Sequence, residues 1–307
     1  MLQNAGLEMV FPPDPDALMD RAKLIEAVRD VDAVVASVEP YDREFFAAVK
    51  PRVVARVGVG YDTVDVDAAS EAGVPVTIAP GTNEHSVAEL ATSLMLGVFR
   101  GFPWRDQKVR RGEWDRTPLP RLAGKTLGLL GFGRIGRAMV GRAQGLGLNV
   151  VAYDPYPNAE FAAEHGVELL SMDALLGVAD VVSLHLPATE ETTDVINAES
   201  LAKMKPGAVL INTSRGVLVD EDALADALRS GRLWAAGLDV FKTEPLPLDS
   251  PLLQFEQVLM TPHVGGLDHQ SIIDMSTLAA RCVADLFQGR WPDECVVNKQ
   301  LQSGWRW

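Results

Sequence analysis

The sequence predicts an α/β protein built from two doubly wound parallel-sheet domains. Two observations lead there. From Lys125 onward, six short, nearly continuous apolar runs alternate with segments whose apolar residues recur every three or four positions. Strands that are apolar on both faces and separated by helices belong to parallel sheets covered on both sides. A similar rhythm on a smaller scale fills the N-terminal third.

In chain order, residues 8–11, 33–38, 52–57 and 76–79 are expected as strands, with helices over 17–29, 43–49 and 66–72 between them. An amphipathic stretch, 84–99, follows the cap signal Thr82/Asn83 and is expected as a long helix bridging two domains. The six later strands are expected at 126–131, 149–154, 180–186, 208–212, 235–240 and 258–261. Helices fall at 135–145, 159–165, 172–176, 199–204 and 221–230, and the Pro-rich segment after 241 reads as a loop. Six strands match the doubly wound dinucleotide fold.

Composition narrows the function. The chain has 307 residues, enough for about two domains, and 28 Lys+Arg against 42 Asp+Glu give a formal charge of 28 − 42 = −14. An acidic chain is a poor partner for nucleic acid or an anionic membrane. The apolar stretch 90–99 falls short of the roughly 20 residues that span a bilayer, the N-terminus lacks a basic leader, and two cysteines make no disulfide framework. A cytoplasmic location is expected.

The chemistry is expected at the carboxyl ends of the strands, where open α/β sheets bind ligands. Gly131, Gly133 and Gly136 have the spacing G-x-G-x-x-G between a strand and a helix. There the first glycine makes the turn, the second admits pyrophosphate and the third lets helix pack on strand. Backbone amides at Arg134 and Ile135 and the Arg134 side chain would face the phosphates. Asp154 lies 18 positions after Gly136 and suits the ribose hydroxyls of NAD; it repels a 2′-phosphate, and no Arg follows to reverse that preference. The Rossmann reading follows. At the other strand ends stand His185, Arg215, Asp239 with Glu244, and His263, and no His/Cys grouping has metal-ligand spacing. Beside a nicotinamide, an Arg can grip a substrate carboxylate through two parallel bonds, a His can exchange the hydroxyl proton, and a Glu can favour the imidazolium. His185 is the rival base or a cofactor contact. Each of these residues also has a plainer reading as a turn, cap or buried polar group.

These segments resemble the D-isomer-specific 2-hydroxyacid dehydrogenase family, which contains phosphoglycerate dehydrogenase and hydroxypyruvate/glyoxylate reductases. The matching stretches are GVGYDTVDVDAA (58–69), NEHSVAEL (83–90), LGLLGFGRIG (127–136), LINTSRGVLVDEDAL (210–224), GLDVFKTEP (237–245) and TPHVGG (261–266). The resemblance implies that His263 is the acid/base, Glu244 its partner and Arg215 the carboxylate ligand, with backbone amides at Val59 and Gly60 assisting. It implies that Asp239 holds the nicotinamide amide and that Thr213, Ser214, Gly265 and Gly266 line the cofactor, with His185 a further contact. It implies a discontinuous substrate domain, 1–90 with 276–307, into which an NAD-binding domain, 91–275, is inserted; 272–288 would be the helix that crosses back and CVVN (295–298) the end of the fold. A homodimer embracing through 84–114 is implied too. Family members open with a strand ahead of LQNAGLEMVF, so the flavodoxin-like substrate domain is expected to lack its first strand, through a misplaced start or a truncation. The tail LQSGWRW is expected to be disordered. Hydroxypyruvate or glyoxylate is the favoured substrate, with 3-phosphoglycerate chemistry, for which Arg56 and Arg105 are the candidate phosphate cations, as the alternative. An NADH-sensing, corepressor-like interaction protein is the alternative of another class.

Overall fold

The computed structural model describes residues 1–307 apart from the side chain of Asp16. Two compact units emerge, Met1–Asn83 with Leu267–Trp307, and Glu84–Gly266. The borders fall at 83/84 and 266/267, a few residues from those expected, because the long helix that opens the second unit belongs wholly to it.

In the first unit, helices α1 (Arg21–Val28), α2 (Arg43–Ala48) and α3 (Val66–Glu71) each start at an aspartate. The carboxylates of Asp20, Asp42 and Asp65 accept from the amides of Lys23, Phe45 and Ala68, satisfying donors that a helix start leaves open. Strands β1 (Ala33–Ala36), β2 (Val53–Arg56) and β3 (Val76–Thr77) form a parallel sheet in that order. Leu24, Phe45, Phe46, Val54 and Val76 close one of its cores. Residues 8–11, expected as a strand, are not one: they pair with nothing, and Met9, Val10 and Phe11 are exposed. β1 is an edge strand, and no ladder orders 8–11 beside it.

The second unit opens with α4 (Glu84–Arg100) and α5 (Phe102–Arg110). A seven-stranded parallel sheet follows: β4 (Thr126–Leu130), β5 (Asn149–Tyr153), β6 (Glu168–Leu169), β7 (Val181–Leu184), β8 (Ala208–Asn212), β9 (Leu233–Leu238) and β10 (Val258–Met260). Its order, β10-β9-β8-β7-β4-β5-β6, reverses direction at β4. Helices α6 (Arg134–Gly145), α7 (Ala159–Glu164), α8 (Met172–Val178), α9 (Ala198–Lys203) and α10 (Glu221–Arg229) make the crossovers. Sequence patterning misses β6, whose two residues are too short to show alternation; it completes the 3-2-1-4-5-6 order and makes 258–261 a seventh strand rather than a sixth. Two cores, one on each sheet face, include Leu130, Val182 and Leu210 on one side and Leu129, Val181 and Ile211 on the other.

The chain then returns to the first unit as α11 (His269–Phe287), which lays Ala279, Val283 and Leu286 on Val53 and Ala55. Segment 295–298 pairs antiparallel with β3 through Val296 and Thr77. Buried Asn298 completes it, accepting from Val76 N and donating to Val74 O, both at 2.9 Å. The tail is ordered, contrary to expectation. Trp305 and Trp307 meet edge-on at 6.4 Å, Trp307 packs on Phe287 at 5.2 Å and Trp305 on Trp291 at 5.9 Å. Three indoles bring enough apolar area to dock a segment that seven residues of mixed polarity conceal in sequence. Among the described residues, no helix is long and apolar enough to cross a membrane.

Candidate active site

The strand order switches at β4, whose carboxyl end leads into the Gly131 loop, and the three glycines there have three different reasons. Gly131 has φ 102°, and a Cβ on it would sit 2.4 Å from the His185 carbonyl oxygen. A Cβ on Gly136 would lie 2.2 Å from Gly131 O, so this glycine lets α6 close on the strand. At Gly133, the N-cap of α6, nothing lies within 4 Å, and no side chain caps the helix. An open approach to an uncapped helix N-terminus suits an anionic group. Arg134, exposed, and Ile135 form its first turn.

Asp154, just past β5, accepts from Phe132 N at 2.7 Å and Tyr156 N at 2.8 Å. The carboxylate therefore braces the glycine loop as well as standing where ribose hydroxyls would come, one lone pair on each oxygen remaining free. At the end of β7, the His185 ring lies 2.9 Å from Ser183 Oγ through Nε2, while its buried Nδ1 has no partner. Burial pulls its pKa down to about 4, so the ring is neutral near pH 7. That removes much of its standing as rival base. At the end of β8, Ser214 Oγ donates to Leu184 O at 2.8 Å, and the buried Thr213 Oγ1 has no partner. Two unsatisfied polar atoms at neighbouring strand ends, with the glycine cradle, fit a dinucleotide that brings its own donors and acceptors.

Arg215, Glu244 and His263 stand on the loops after β8, β9 and β10. His263 Nδ1 and Glu244 Oε2 are 2.7 Å apart, and Glu244 Oε1 accepts from Phe241 N at 2.9 Å. With Nδ1 held, Nε2 is left for another partner. Arg215 is half-buried in extended backbone, with Nη1 donating to Ser214 O at 2.6 Å. Gly216 follows it because a Cβ there would come within 1.9 Å of the Phe241 carbonyl carbon. That close approach joins the Arg215 loop to the segment carrying Glu244.

Asp239, only 1% exposed, is bonded within the protein. Its carboxylate accepts from Thr261 Oγ1 at 2.6 Å, Val264 N at 2.9 Å and Gly265 N at 2.8 Å. Gly265 O accepts in turn from Ser86 Oγ at 2.7 Å, while Gly266 ends the unit. Sequence reasoning passed over Ser86; the signal was the polar NEHS opening of an otherwise apolar helix. Val59 and Gly60 lie in the other unit, in the loop after β2. That loop is held by Arg56, whose buried guanidinium donates to Gly60 O from Nε at 3.0 Å and Nη2 at 2.7 Å.

The family model for the D-isomer specific 2-hydroxyacid dehydrogenase NAD binding domain matches residues 92–265. The chain belongs to this family. Members of the D-isomer specific 2-hydroxyacid dehydrogenases are NAD-dependent oxidoreductases acting on CH–OH donors. A D-3-phosphoglycerate dehydrogenase of Mycobacterium bovis is 50% identical over 292 residues, 92% of this chain and 55% of that protein, so the chain spans about half of that relative's length. A glyoxylate reductase of Korarchaeum cryptofilum is 41% identical over 91% of this chain and 86% of its own. The crystal structure of a glyoxylate reductase from Paecilomyes thermophila superposes with a TM-score of 0.85 at 32% identity, covering 97% of this chain and 93% of that one.

Proposed function

We propose that this chain is an NAD-dependent D-2-hydroxyacid dehydrogenase working as a 2-keto acid reductase. The observation that carries the reading is the Glu244–His263 pair at 2.7 Å beside the Arg215 loop. NADH, when bound, supplies the hydride for the keto carbon. His263 Nε2 gives a proton to the carbonyl oxygen in reduction and takes one from the hydroxyl in oxidation, and Glu244 holds Nδ1 so that the ring keeps its aim. Arg215 grips the substrate carboxylate with two parallel N–H groups, fixing the face that receives hydride. Gly131, Gly133, Arg134, Ile135 and Gly136 hold pyrophosphate and Asp154 the ribose. His185, Thr213, Ser214, Asp239, Gly265 and Gly266 line the rest of the cofactor site. The exposed Phe102, Val109 and Trp114 support a homodimer through 84–114.

Hydroxypyruvate and glyoxylate are the favoured substrates. Of the cations considered for a phosphate, Arg56 is buried and donates to Gly60 O, and Arg105 donates to Thr117 O. Identity of 50% to a phosphoglycerate dehydrogenase favours phosphohydroxypyruvate as a second reading. NADH oxidation with hydroxypyruvate, glyoxylate, phosphohydroxypyruvate, pyruvate and a branched keto acid decides between them. The highest kcat/KM is expected on one of the first two. A preference for the phosphorylated acid supports the second reading, and no turnover on any, with NADH bound, removes the enzyme reading.

A further inference from the structure

We propose that Asp239 is a positioning residue whose buried carboxylate, with Ser86, holds the 261–265 loop in the one shape that aims His263. The inference rests on the reading of His263 as acid/base. His263 has φ 55°, a left-handed conformation that a side chain disfavours, so neighbouring groups must impose it.

Beyond Thr261 N on Leu238 O, His263 N on Thr261 O and the Glu244 contact to the ring, the restraints on the loop lead back to Asp239 or to Ser86. The His263 amide donates to the main-chain oxygen of Asp239 at 2.8 Å, while Thr261 Oγ1 and Val264 N take both lone pairs of Oδ1 and Gly265 N one of Oδ2. The Asp239 amide is itself tied to Asn212 O at 2.9 Å, which anchors the carboxylate to β8. Ser86, on α4, fixes the other side of the peptide at Gly265. Glycine suits position 265, since a Cβ would approach Asp239 Oδ2 to 3.1 Å. Three donors converging on one side chain demand an acceptor without a donor of its own. A carboxylate meets that demand; the amide of asparagine must turn its NH2 toward one of the three. With one lone pair left on Oδ2, the loop rather than the nicotinamide is the main partner of Asp239.

The test compares Asp239→Asn, Thr261→Val and Ser86→Ala with wild type by three readouts. These are NADH affinity from fluorescence, kcat with hydroxypyruvate, and the His263 Nδ1–H signal in proton–nitrogen NMR, assigned by its absence in His263→Ala. Asp239→Asn is expected to lower kcat by roughly 10²-fold, the cost of misplacing a reacting group by about 1 Å, with NADH affinity falling far less than kcat and the Nδ1–H signal lost. Thr261→Val and Ser86→Ala remove one contact each and should show the same pattern, weaker. They carry the test if Asp239→Asn does not fold. NADH affinity falling in step with kcat, or an Nδ1–H signal unchanged in all three variants, overturns the proposal. Absence of wild-type turnover on any keto acid would instead count against the enzyme reading, and the NMR signal would still decide the role of Asp239.

Discussion

Replacing Glu244 by glutamine changes one atom and forces a choice. The native carboxylate faces two neighbours, accepting from Phe241 N through Oε1 at 2.9 Å and meeting His263 Nδ1 through Oε2 at 2.7 Å. Glutamine has a single carbonyl oxygen. The Phe241 amide can only donate, so that oxygen stays with it and the NH2 turns toward His263. The ring must then offer its Nδ1 lone pair, which moves its proton to Nε2 and removes the anionic partner of the imidazolium. A charge-assisted hydrogen bond is worth about 1.5–3 kcal/mol. The Glu244 and His263 side chains are 36% and 42% exposed, so solvent screens about half of that. The remaining ~0.8–1.5 kcal/mol corresponds to a loss of roughly 4–13-fold in kcat. Steady-state loss of NADH absorbance with saturating hydroxypyruvate measures it, and NADH affinity and melting temperature should not move. A kcat equal to wild type, or a loss confined to the KM for NADH, refutes the assignment of Glu244 as the partner that orients His263.

Two further outcomes follow from the same geometry. Arg215→Lys exchanges a planar fork for a point charge, so the KM for the keto acid should rise by roughly 10–10²-fold while NADH affinity holds; equal losses in both would make Arg215 a cofactor or folding residue. His185 is held near pKa 4 by burial against 6.5 in an unfolded chain, so the unfolded state binds its proton first on acidification. Its stabilisation is complete above about pH 6.5 and is lost as pH falls toward 4; urea unfolding should find a contribution about 2 kcal/mol smaller at pH 5 than at pH 7, a difference that His185→Gln abolishes and that its persistence in the variant would contradict.

The sequence made the second unit legible because parallel strands buried on both faces leave apolar runs, and each strand end then carries its polar residue to one crevice. The Gly131 loop, Asp154, and the pairing of Glu244 with His263 lie at or just beyond strand ends that patterning located. What stayed hidden has physical reasons. β6 is two residues long, too short for any periodicity. The strand expected at 8–11 depends on a neighbour, which local propensity does not report. The docked tail depends on Trp291 and Phe287, residues on other segments, and the role of Asp239 depends on donors 22 to 26 positions away. Residue type located the chemistry; only the fold reveals which lone pairs are already taken.

The central claim is that His263, and not His185, moves the proton. Measuring kcat and NADH affinity together for wild type, His263→Ala and His185→Ala tests it most directly. A loss on the order of 10²–10⁴-fold in kcat is expected for His263→Ala with NADH binding retained, and a far smaller loss for His185→Ala. The reverse pattern, or full turnover without the His263 imidazole, would contradict it.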